Sequence, residues 1–159
     1  MEVKVSSIKG AQEELKNCNT ENIKLIIASS YEKNVDSVKN ENKLILHFDD
    51  VTSVRTKSFN KSIAKQINTF INQIDFNKEK LYVCCDSGVS RSSAIAAAIL
   101  RKYKQDENAI WKNYNFQPNV LVYRILCDEL NLRNYPMRLQ HKVNINRKAL
   151  KRKIAESKL

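Results

Sequence analysis

The stretch KLYVCCDSGVSRSSAIAAAIL, residues 80–100, decides how the rest of the chain is read. Its first six residues are an almost unbroken apolar run, and its alanine-rich end suits a helix. Between them lie the seven residues CDSGVSR, Cys85 to Arg91, which include one of the chain's two glycines. An apolar run without polar alternation fits a strand covered on both faces, as parallel sheets require. The segment therefore predicts a buried strand, a tight turn and a helix.

Working outward, three further strands are expected: VKVSS near the start, KLIIAS from Lys24 and KLILHF from Lys43. The latter two share the continuous apolar character of KLYVCC. Between the strands lie helical patterns, AQEELKN and SFNKSIAKQINTFINQI. The second places Phe59, Ile63, Ile67, Phe70, Ile71 and Ile74 at spacings of three and four, one apolar face. After Arg91 come SSAIAAAILRKYK, DENAIWKNY and NVLVYRILCDEL, with Pro118 marking the start of the last. Strands alternating with helices, followed by a run of helices, predict an α/β fold. Its centre is a mostly parallel sheet of four to five strands flanked by helices. Ligands of such sheets bind beyond the carboxyl ends of the strands, and Cys85 stands at one of them.

Length and composition narrow the class. The 159 residues are 42% hydrophobic and 28% charged, which disfavours disorder, and no apolar run approaches the ~20 residues of a membrane span. The start, MEVKVSSIKG, has no signal-peptide core. Cys18, Cys84, Cys85 and Cys127 form neither a dense disulfide framework nor a CxxC metal pair, so they read as thiols in a reducing, cytoplasmic setting. The net charge is +11, and nine basic residues against one acid, Glu156, lie beyond Asn131. We read residues 1–131 as one catalytic domain and 132–159 as a basic, helical C-terminal extension.

The turn carries the chemistry. Five residues curling between a strand and a helix aim the backbone N–H groups of Asp86, Ser87, Gly88, Val89 and Ser90 inward, and the helix start adds its positive end, making an anion cradle. Gly88 lies where a side chain would obstruct it. Arg91 bridges two phosphate oxygens through its planar fork. A thiol at Cys85 faces the same N–H groups, which favour the thiolate and make it a nucleophile. Ser92 is placed to donate a hydrogen bond to the sulfur when it leaves.

The segment VCCDSGVSRSSAIAAAI resembles the signature loop of the cysteine-dependent protein phosphatases, HCxxGxxR followed by Ser or Thr. It is most similar to the compact dual-specificity branch, including small bacterial and phage-type members. The resemblance spans about residues 43–130. It implies thiolate attack on phosphorus, a cysteinyl-phosphate intermediate hydrolysed by water, binding of the phosphoryl oxygens by Arg91 and the loop amides, and no metal or other cofactor. The histidine that precedes the family's nucleophile is Cys84 here. We read Cys84 as a buried thiol, with a redox partnership to Cys85 as the alternative.

A leaving alkoxide or phenoxide needs a proton. LILHFDDV supplies Asp49 and Asp50 past the end of a predicted strand, on the same sheet edge as Cys85. Alignment to the family favours Asp50 as the acid, with Asp49 in reserve. Asp86 inside the loop disfavours polyanionic lipid substrates, whose specialists carry lysines there. QPNVLVYRIL resembles the family's Pro-Asn helix start, so Asn119 is expected to cap a helix; the glutamine many relatives carry later is Ile125. His47 on an apolar strand reads as a core histidine, Trp111 as core, and His141 lacks a partner pattern.

The implied substrates are phosphorylated proteins or peptides. Two rivals follow from particular features: an RNA 5′-phosphatase, suggested by the basic tail, and a weakly catalytic phosphate-binding module, suggested by Cys84. The tail itself reads as a solvated helix or as a binder of RNA or another acidic surface.

Overall fold

The computed structural model describes residues 1–31, 35, 40–133 and 136–157. Chain order runs β1 (Glu2–Ser7), α1 (Ile8–Leu15), β2 (Ile23–Ser29), β3 (Lys43–His47), α2 (Lys61–Ile71), β4 (Lys80–Cys85), α3 (Arg91–Lys102), α4 (Asn108–Trp111), α5 (Val120–Glu129) and α6 (Pro136–Glu156). The four strands form one sheet in the order β1-β4-β2-β3, parallel throughout. Lys158 and Leu159, the end of the expected tail helix, lie outside the described residues.

The apolar runs sort by position in the sheet. The inner strands β2 and β4 are buried along almost their whole length. At the edge, β3 is only half-buried over Lys43–Ile45, although its sequence looks equally apolar. A strand with one paired neighbour keeps contact with water, and this corrects one expectation: His47, read as a core histidine, is exposed.

Period-two alternation divides the core. Ile26, Ala28, Val83 and Cys85 face a large cluster built with α2, α3 and α5, while Leu25, Ile27, Tyr82 and Cys84 face a smaller one under α1. The apolar face expected around α2 is present: Ile67 and Ile71 are buried, and Ile63, Phe70 and Ile74 pack against the large cluster. Phe59 precedes that helix and meets Phe48 edge-on at 5.0 Å. Trp111 is core as expected; its Nε1 donates to Glu107, which also accepts from Tyr123 and Arg101.

The basic C-terminal segment is helical and joined to the core. Leu139 and Val143 of α6 enter the large cluster. Buried Asn146 donates from Nδ2 to the carbonyls of Trp111 (2.9 Å), Asn113 (3.3 Å) and Phe116 (3.4 Å). These carbonyls belong to α4 and the turn after it, so one side chain fixes the rotation of α6 against the domain. Asn146→Ala removes the donor from all three, leaving the Trp111 carbonyl without it in a buried setting, and should cost about 1–3 kcal/mol, read as a lower urea midpoint with an unchanged slope.

Candidate active site

The loop between β4 and α3 is held on three sides. Gly88 has φ +72, and a Cβ built there would lie 2.5 Å from Ser7 N and 2.6 Å from the Ser6 carbonyl carbon. The glycine is thus required by the end of β1, which presses against the loop from behind, as well as by its left-handed backbone. On the other side, the Val89 carbonyl accepts from Gln117 N and Ser93 Oγ, and the Ser90 carbonyl from Asn119 N. Two loop carbonyls are thereby drawn toward the supporting helices.

Cys85 is 1% exposed, with Sγ 3.1 Å from Ser92 Oγ on the first turn of α3. Cys84 points through the opposite face of the sheet. Its burial, with Cys85 and Glu14 adding repulsion, pushes the thiol up to about 12, so it stays protonated near neutral pH. Both cysteines are free thiols. Alternation along β4 separates the adjacent pair and gives the redox partnership no support.

Arg91 is 4% exposed and reaches three strand ends at once. Its Nη1 donates to Ser30 Oγ (2.9 Å), just past β2, and to the Phe48 carbonyl (2.8 Å), just past β3. Nη2 donates to Asp86 Oδ2 at 2.5 Å. Of the five guanidinium protons, Nε–H and one on Nη2 remain; Nε is buried with no partner among the described residues. A buried cationic donor left unsatisfied calls for an anion, and Nε with Nη2 is the edge that matches two phosphate oxygens. Asp86 also accepts from Ser29 Oγ (2.7 Å) and Ser30 N (3.4 Å). Burial works to raise its pKa, but the hydrogen bonds from Ser29 and Arg91 outweigh that and hold the carboxyl below its usual 3.8.

The predicted acids separate. Asp50 is exposed, and its Oδ1 accepts from Ser90 Oγ (2.9 Å) in the loop and Asn119 Nδ2 (2.8 Å). Asp49 is tied by its backbone N–H to the Lys57 carbonyl, 2.8 Å away. Asn119 caps α5 as expected, its Oδ1 accepting from Leu121 and Val122 N. Its amide group joins that helix start to Asp50 and to the Val51 carbonyl. Cys85, Ser92, Arg91 and the loop thus gather at the carboxyl end of the sheet, and Asp50 is linked to them through Ser90. His141 is exposed on α6. Among the described residues, no group of three or more His, Cys, Asp or Glu is arranged to hold a metal.

Sequence reasoning missed Ser29 and Ser30. The signal was there: two hydroxyls at the carboxyl end of an inner parallel strand, beside the one that ends in Cys85. It also missed that α6 brings Gln140 and Arg147 beside the loop, which no local pattern announces.

No protein-family model matches the sequence, and no curated protein does. Solved structures do match. PTPMT1 in complex with PI(5)P aligns with a TM-score of 0.56 at 16% identity, covering 82% of this chain and 90% of that one. The PTP-2 phosphatase of Cydia pomonella aligns at 0.53 with 14% identity, covering 79% and 84%. The four-stranded parallel sheet with its flanking helices is the fold of dual-specificity-like phosphatases.

Two measurements test this geometry. Gly88→Ala forces a left-handed φ on a residue with a Cβ and a clash with β1, and should cost more than about 1–2 kcal/mol in thermal or urea unfolding. For Asp86 the folded carboxyl lies below its usual value, so its stabilising contribution is present above pH 3.8 and is lost as pH falls through the folded value. Asp86→Asn should therefore unfold at a lower temperature than wild type at pH 7, the gap narrowing below pH 3.8.

Proposed function

We propose that the protein is a protein tyrosine or dual-specificity phosphatase that hydrolyses phosphomonoesters through a cysteinyl-phosphate intermediate. One observation carries this reading. The Cys85 sulfur sits 3.1 Å from the Ser92 hydroxyl, at the root of a loop whose buried Arg91 keeps an Nε without a partner among the described residues.

The phosphoryl group of the substrate lies in the loop, its oxygens held by the N–H groups of residues 86–91 and by the Nε edge of Arg91. The Cys85 thiolate attacks phosphorus, forming the P–S bond as the P–O bond to the substrate breaks. Asp50, protonated on the free Oδ2, gives its proton to the departing oxygen. Water then attacks phosphorus and passes a proton to the Asp50 carboxylate, while the P–S electron pair returns to sulfur, steadied by the Ser92 hydroxyl. Inorganic phosphate leaves and the thiolate is restored.

Asp86 bears on substrate choice. Its carboxylate offsets part of the Arg91 charge, which favours a single phosphate on a phosphorylated protein or peptide over a polyphosphorylated lipid. The buried thiol Cys84 in place of a histidine leaves the loop to be ordered by Gly88, Ser93 and the Asp86–Arg91 pair.

The decisive assay is turnover of an aryl phosphate. Cys85→Ser should abolish it, Asp50→Asn should lower kcat by about 10²–10⁴-fold, and Asp49→Asn should act far less. An inert wild type, or full activity in Cys85→Ser, overturns the phosphatase reading. A crippled Asp49→Asn beside an unimpaired Asp50→Asn overturns only the choice of acid.

A further inference from the structure

Beside the signature loop lies a cavity of about 330 Å³, walled by Asp50 and Ser90 on one side and by Gln117, Gln140, Val143 and Arg147 on the other. Gln140, Val143 and Arg147 follow spacings of three and four on α6 and share one helix face. Val143 is buried, and Asn146, next to Arg147, is anchored by its three carbonyls. The helix therefore presents Arg147 to the cavity in a set position. Gln117 holds it there: the Gln117 side-chain carbonyl accepts from Arg147 Nε at 3.3 Å, while the Gln117 backbone N–H donates to Val89 in the loop. That neutral bond is the only one Arg147 makes with a described residue, which leaves both terminal amino groups as donors. Asp50 is the sole carboxylate among the described residues of the cavity wall, and it is engaged by Ser90 and Asn119.

We propose that Arg147, set by Gln117 and Asn146, is a specificity-determining residue that binds an acidic side chain flanking the phosphorylated residue of a peptide substrate. This rests on the phosphatase reading and sharpens it. A leaving group that takes its proton from Asp50 must lie against Asp50, and the cavity begins there, so neighbouring substrate residues run into it. The side wall offers them one cation, two side-chain amides and an apolar floor at Val143. An extended peptide carrying a carboxylate fits this combination, whereas a base would find no aromatic surface to stack upon among the six wall residues named.

Paired phosphotyrosine peptides test the proposal, one with Asp and Glu beside the phosphotyrosine and one with Asn and Gln. Binding to full-length Cys85→Ser is followed by fluorescence anisotropy, and kcat/KM is measured on the wild type. The acidic peptide should be preferred about threefold to tenfold in both. Arg147→Gln should bring the ratio to near one, Arg147→Lys should keep part of it, and Lys151→Gln, at an exposed position of α6 outside the cavity, should leave it intact. A ratio unmoved by Arg147→Gln, or one moved equally by Lys151→Gln, overturns the assignment. So does a 5′-phosphorylated oligonucleotide that binds Cys85→Ser more tightly than the acidic peptide in an Arg147-dependent way. If the wild type turns over no aryl phosphate, the catalytic reading falls, while the anisotropy ratio still decides whether Arg147 recognises acidic peptides.

Discussion

A guanidinium taken out of water is costly unless its protons find acceptors and its charge finds a partner, and Arg91 is almost wholly buried at the carboxyl end of the sheet. Its acceptors come from three strand ends, Ser30 after β2, Phe48 after β3 and Asp86 after β4, and the Phe48 ring lies 5.8 Å from its centre. Meeting the needs of this one cation therefore fixes how those ends stand relative to each other. The cleft is shaped by the same constraint, because the donors that the strand ends leave over are the ones available to an anion.

Support for that loop comes from opposite sides of the fold. Behind it, β1 approaches so closely that only glycine fits at position 88. In front, α3 and the start of α5 take its carbonyls, and Asn119 joins a helix cap to the Asp50 segment through one side chain. Elements distant in sequence thus converge on five residues. The smaller core under α1 contributes indirectly: it buries Cys84 on the far face, keeping a second thiol away from the first.

The C-terminal helix shows how charge and packing divide labour along one element. Leu139, Val143 and Asn146 face inward and make α6 part of the domain core, while its lysines and arginines remain in water. Lys153 meets Tyr114 at the far end, through both a hydrogen bond and a cation–π contact. Reading this segment from composition alone yields a solvated basic tail. Packed in place, it becomes one wall of the cavity beside the loop between β4 and α3.

Much of this was legible in local pattern. Continuous apolar runs marked the inner strands, spacings of three and four marked α2, and a cysteine, a glycine and an arginine within seven residues marked the loop, because these features depend on neighbours close in the chain. Pro118 and Asn119 located a helix start for the same reason. The local signal failed where the outcome depended on position in the sheet: β3 looks as apolar as β2, yet lies at the edge and leaves His47 in water. It was also silent on contacts across the fold. Sequence by itself determined the strands, the tight loop between β4 and α3 and the residue types that loop carries. Only tertiary structure decided that Arg91 pairs with Asp86, Ser30 and Phe48, that the end of β1 leaves no room for a side chain at Gly88, and that Arg147 borders the cleft. The physical reason is that hydrogen bonding and steric exclusion act through space over a few ångströms, between residues that can be tens of positions apart in the chain.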